Sequence, residues 1–134
     1  MNLQTAIRTV FGKYATFSGR AARSEFWYWV LFIVLVSVAL SMVDAAVIAP
    51  MTGHEAFAPE AGQPLQLLFN LATLLPTLAV TVRRLHDTDR SGWWILLGLI
   101  PIIGNLILLW WYIQAGTEGD NEFGPPAIPV DPVV

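Results

Sequence analysis

The sequence predicts an all-α membrane protein, with an N-terminal amphipathic interfacial helix plus three transmembrane helices in a single integral domain. Three observations carry this. Of 134 residues, 55% are hydrophobic and only 13% are charged, and the mean hydropathy is +0.58; a water-soluble domain carries about 25% charged residues. Three apolar stretches reach roughly the ~30 Å thickness of a bilayer core at ~1.5 Å of helix per residue. All seven basic side chains, Arg8, Lys13, Arg20, Arg23, Arg83, Arg84 and Arg90, fall in two segments, with only acids between and after them.

In chain order, residues 3–14 place Leu3, Ile7, Val10, Phe11 and Tyr14 at helical spacing, with Arg8 and Lys13 elsewhere on the wheel. This is an amphipathic helix, lying either on the membrane or on the protein's own polar face. Residues 26–43 are apolar apart from Ser37 and Ser41 and form the first span, longer than the ~7 to 15 residue core of a signal peptide. Residues 44–64, with three prolines, two glycines and no lysine or arginine, make an extramembrane loop around Phe57. The second span, 65–82, is less oily and contains Pro76, which is expected to kink it.

The third span is expected over 93–115. Its paired tryptophans, Trp93-Trp94 and Trp110-Trp111, would form two interfacial belts about 25 Å apart. The rival reading is a re-entrant hairpin bent at Pro101, Gly104 and Asn105. Residues 116–134 form a turn-rich, flexible tail. By the positive-inside rule the N-terminus and the segment 83–90 lie in the cytoplasm, and the 44–64 loop and the C-terminus lie outside.

Between the second and third spans stands the most polar stretch, Arg83-Arg84-Leu85-His86-Asp87-Thr88-Asp89-Arg90-Ser91-Gly92-Trp93-Trp94. Together with Phe17-Ser18-Gly19-Arg20, Arg23-Ser24-Glu25-Phe26-Trp27, and Gly116-Thr117 followed by Gly119, Asn121 and Phe123-Gly124-Pro125, it resembles the bacterial membrane family called domain of unknown function 805 (DUF805). The resemblance covers nearly the whole chain outside the 44–64 loop. Gln114-Ala115 departs from it, standing where a proline is expected before the glycine-threonine pair. The resemblance implies a small multi-pass protein of the bacterial inner (plasma) membrane and supplies no reaction, ligand or partner.

Several chemistries are set aside. Cysteine is absent, which removes disulfides, thiolate metal sites and cysteine nucleophiles. Glu118, Asp120 and Glu122 lack the alternating spacing of an EF-hand loop, and no hydrolase elbow, zinc-protease helix, phosphate loop or nicotinamide fingerprint occurs. His54 and His86 fall on opposite sides in this topology, so no metal and no cofactor is expected. Nucleic-acid binding would need a broader basic surface.

Two constellations remain. His86 and Asp87 have the chemistry of a proton-transfer pair; the plainer reading has Asp87, Asp89 or Ser91 capping the following helix while His86 bonds within its loop. Arg20, Arg23, Arg83, Arg84 and Arg90 gather at one membrane face, where guanidinium forks suit phosphate oxygens. Glu25, Asp87 and Asp89 neutralise three of them, and Trp93 and Trp94 would pack on the lipid. Inside the membrane, Ser37, Asn70 and Asn105 fall about 16 to 18 Å deep and are expected to meet as a polar layer.

The leading expectation is a non-enzymatic scaffold or interaction protein. Its expected partners are membrane lipids, anionic phospholipid among them, and a membrane protein or a second copy of the chain. An oligomeric transport component, and a lipid-acting enzyme using His86 and Asp87, are the other classes.

Overall fold

The computed structural model describes residues 2–56, 58 and 62–127. Residues 128–134 of the expected flexible tail, and Phe57, lie outside that set. Helix α1 spans Leu3–Gly12, α2 Arg23–Val43, α3 Ala49–Met51, α4 Pro64–Asp87 and α5 Ile103–Ile113. A π-helical turn, Asp44–Ile48, joins α2 to α3, and a 3-10 helix, Gly92–Leu99, precedes α5. Two of the described helical stretches are long and apolar enough to cross a membrane, Arg23–Met51 and Pro64–Asp87.

The first stretch outruns the expected span by continuing through residues assigned to the loop. Asp44, buried, accepts from the amides of Leu65 and Gln66 through its two carboxylate oxygens, each at 3.1 Å. The first-turn amides of α4 have no partner within that helix, so a carboxylate there both satisfies them and suits the helix dipole. Asp44 and α4's first turn belong to a compact unit formed by residues 31–74. In that unit Leu35, Val38, Met42, Leu67, Leu68 and Leu71 are exposed, the surface of helices whose outward faces meet hydrocarbon.

The other unit is formed by residues 1–30 and 75–134. Asn2 caps α1 by accepting from the Thr5 amide at 2.8 Å. Ala6 and Val10 turn fully inward, and Phe11 meets the edge of Trp29 at 5.1 Å. The Trp29 indole donates to the Thr77 hydroxyl at 3.0 Å, so part of α4's polar stripe serves packing. Thr73 and Thr81 bond back to carbonyls one turn earlier in their own helix. Of the expected polar layer, Ser37 is half-buried while Asn70 and Asn105 are exposed, so neither amide is enclosed.

Residues 93–115 do not make one helix. The 3-10 helix ends at Leu99, the chain turns through Pro101 and Ile102, the latter at φ +66°, and α5 begins at Ile103. Gly104 permits the turn, because a Cβ there would stand 1.8 Å from the Leu97 carbonyl oxygen. Trp94 and Trp111, expected in opposite belts, instead meet edge to face at 5.7 Å. The two legs are each about 16 Å long, half a bilayer core.

Candidate functional site

The site is built where α4 ends. Arg83, Arg84 and Asp87 leave the last turns of α4, and Arg20 approaches from the loop before α2; all three guanidinium side chains are fully buried. Asp87 is the hub. One carboxylate oxygen takes Arg20 Nε at 2.8 Å and the other takes Arg84 Nη1 at 2.5 Å. Arg83 Nη1 meets Glu25 of α2 at 2.5 Å and Arg83 Nε donates to the Thr16 carbonyl at 3.1 Å.

Three buried cations against two buried carboxylates leave one positive charge in excess. Backbone carbonyls take up the remaining donors. Arg20 reaches Thr117 at 2.6 Å and Gly119 at 2.7 Å, with a longer bond to Gly124. Arg84 donates to Tyr112, to Ala21 and, through a short bond, to Gln114. Arg23 donates to Ile113 and the Trp27 indole to Tyr112, each at 3.2 Å. The last carbonyls of α5, which no helix satisfies internally, are thereby held by two arginines and a tryptophan at the negative end of its dipole. Among the described residues, Arg83 Nη2 is the one guanidinium nitrogen buried without a partner.

The tail completes the cluster. The Thr117 amide donates to the Asp87 carbonyl at 2.8 Å, and a Cβ at Gly116 would lie 1.9 Å from Asp87 Oδ2. Asn121 donates to the His86 carbonyl at 2.9 Å, and Phe123 stacks on the His86 ring at 4.0 Å with the planes 1° apart. His86 Nδ1 lies 2.9 Å from the Gly19 carbonyl oxygen; facing an acceptor, that nitrogen carries the hydrogen. The chain after α5 thus sits at the same end of this unit as the arginine motif, which a single crossing would have separated from it.

The sequence-derived arginine patch therefore divides. Arg20, Arg83 and Arg84 are spent inside the chain, so the pairing of Arg84 with Arg90 as phosphate ligands does not hold. Arg23 is exposed, and Arg90, half-buried, lies 4.4 Å over the Trp111 ring. A shallow pocket of about 230 Å3 includes Arg20 and Arg23, but Asp87 and Glu118 line it as well. Asp89 pairs with no arginine among the described residues; it accepts from the Glu122 amide at 3.3 Å in a left-handed turn at φ +60°. Ser91 caps the 3-10 helix by accepting from Trp93. Trp93 is 80% exposed and Trp94 49%. The sequence reading missed the part played by the tail; its one signal was Phe123, an aromatic among acids and glycines.

Residues 14–125 match the family described as protein of unknown function (DUF805). The chain belongs to the DUF805 family. Among its relatives, inner membrane protein YhaH of Escherichia coli K12 is 41% identical over 116 residues, covering 87% of this chain and 90% of that protein. Inner membrane protein YhaI of the same strain is 42% identical over 116 residues, covering 87% and 89%. The uncharacterized protein YiiR is 30% identical, covering 81% and 84%. No solved structure matches the chain. With two helices of spanning length and inner membrane proteins as relatives, this DUF805 member is a bacterial inner membrane protein.

Proposed function

We propose that the chain is a non-enzymatic scaffold of the inner membrane, with a rigid cytoplasmic platform at the headgroup level that engages lipid phosphates through its remaining surface cations. In this reading α2 with α3, and α4, cross the bilayer, and the hairpin of 92–113 dips into the cytoplasmic leaflet and returns. Both the N-terminal arm and the tail through Ala127 are then cytoplasmic. The hydrogen bonds from Arg20 and Arg84 to Asp87 and to the carbonyls of residues 112–119 carry the reading. They consume the polar groups a reaction would need and brace the face that shows Arg23, Arg90, Trp93 and Trp94. The placement of every basic residue at 8–23 or 83–90 supports the cytoplasmic side.

The test compares thermal unfolding in nanodiscs of anionic and of zwitterionic phospholipid. Anionic lipid should stabilise the wild type, and Arg23→Ala with Arg90→Ala should remove about 1 kcal/mol of that preference per charge while leaving the zwitterionic midpoint unchanged. Equal stability of wild type in both lipids, or phospholipid turnover abolished by His86→Ala, would refute the scaffold reading.

A further inference from the structure

Beside the arginine cluster, a groove of about 450 Å3 opens between the end of α4 and the start of the 3-10 helix, within the ~300 to 1,000 Å3 range of small-molecule sites. Its walls are graded. Leu78 and Val82 of α4, with Ile95 and Trp93 opposite, give it an apolar length; His86 and Ser91 stand at one end. Leu78, Val82 and His86 recur at intervals of four on one helix face, so the groove runs from the apolar part of α4 toward its charged terminus. Gly92 holds the two walls together, since a Cβ there would meet Val82 at 2.6 Å.

His86 gives the polar end its chemistry. The side chain is nine-tenths buried and its ring is fixed by the Gly19 carbonyl on Nδ1 and by Phe123 on its face. Nε2 has no hydrogen-bond partner among the described residues, and with Nδ1 holding the hydrogen the neutral ring offers a lone pair there. The complementary ligand group is a hydrogen-bond donor. Two kinds of phospholipid headgroup supply one, an ammonium or a hydroxyl. The adjoining cluster carries one excess positive charge and Arg90 precedes Ser91 in sequence, so an ammonium is repelled while a phosphate is attracted. The Ser91 hydroxyl accepts from the Trp93 amide and keeps its own hydrogen to donate to a phosphate oxygen.

We infer that the groove binds one anionic phospholipid with a hydroxyl-bearing headgroup, phosphatidylglycerol in chemical type. One acyl chain lies along Leu78, Val82 and Ile95, the headgroup hydroxyl donates to His86 Nε2, and the phosphate faces Ser91. The inference rests on the reading of this face as lying at headgroup level and adds to it a lipid class and a defined seat.

Native mass spectrometry of the detergent-purified full chain, titrated with phosphatidylglycerol, phosphatidylethanolamine and phosphatidic acid in turn, tests it. One phosphatidylglycerol should bind at least tenfold more tightly than either other lipid. Leu78→Trp and Ile95→Trp, which fill the groove from opposite walls, should each weaken that binding tenfold or more. His86→Asn, whose amide nitrogen can still donate to Gly19, should erase the preference for phosphatidylglycerol over phosphatidic acid. Glycerol phosphate, which lacks acyl chains, should not displace the lipid. Equal binding of the three lipids, displacement by glycerol phosphate, or wild-type binding by both folded tryptophan variants would overturn the groove. The surface reading would survive that result, because it is measured by Arg23→Ala with Arg90→Ala.

Discussion

Arg20 and Asp87, 67 positions apart, meet at 2.8 Å in the interior, and the same carboxylate holds Arg84 on its second oxygen. One acid thus serves two fully buried cations. Removing it leaves both uncompensated, and breaking buried pairs of this kind costs about 3 to 5 kcal/mol. Asp87→Asn should therefore lower the unfolding free energy in detergent by that order, and Arg84→Ala by a similar amount. A loss below about 1 kcal/mol, the worth of an exposed pair, would show that water reaches the cluster.

The tail is fitted to that carboxylate at Gly116. Gly116→Ala should push residues 114–124 away from Asp87 and expose them to protease. Gly12→Ala, where a Cβ meets nothing within 4 Å, serves as control. Equal cleavage of the two variants would mean that the tail is not docked in solution.

The absence of native cysteine makes sidedness directly measurable. Cysteines introduced at Gly53 and at Glu118 should differ in intact spheroplasts, with Gly53→Cys reacting with an impermeant maleimide and Glu118→Cys reacting only after permeabilisation. Labelling of both without permeabilisation would restore a third crossing.

Trp94 and Trp111 should report one depth. In variants retaining either alone, brominated lipids should quench the two indoles most strongly at the same bromine position. Quenching from positions in opposite leaflets, as belts about 25 Å apart would give, contradicts the hairpin.

What the sequence disclosed depended on how local the physics was. The spanning helices α2 and α4 follow from uninterrupted hydrocarbon, and the basic segments from simple counting. The hairpin was legible only as a rival, in Pro101, Gly104 and Asn105, because two tryptophan pairs at the ends of an apolar run look alike whether the run crosses or folds back. Nothing in the residue type of Ile102 announces a positive φ. For the arginines, composition gives the charge balance but not the acceptors: the groups that occupy Arg20 and Arg84 are mostly main-chain carbonyls, which every residue has and no motif marks. Asp44 was misread for a related reason. An acid after an apolar run signals a loop unless its carboxylate has a helix start to cap.

The dependence of Arg20 and Arg84 on carbonyls from residues 112–124 sets an order of events during synthesis. Both arginines leave the ribosome well before their acceptors do. Until translation passes Gly124, the nascent chain carries unquenched guanidinium groups at the bilayer edge, a charge that resists translocation and holds the unfinished molecule in its cytoplasmic orientation. A product truncated before Gly116 keeps that charge, so an incomplete copy differs from a finished one in the feature that membrane proteases and chaperones meet first.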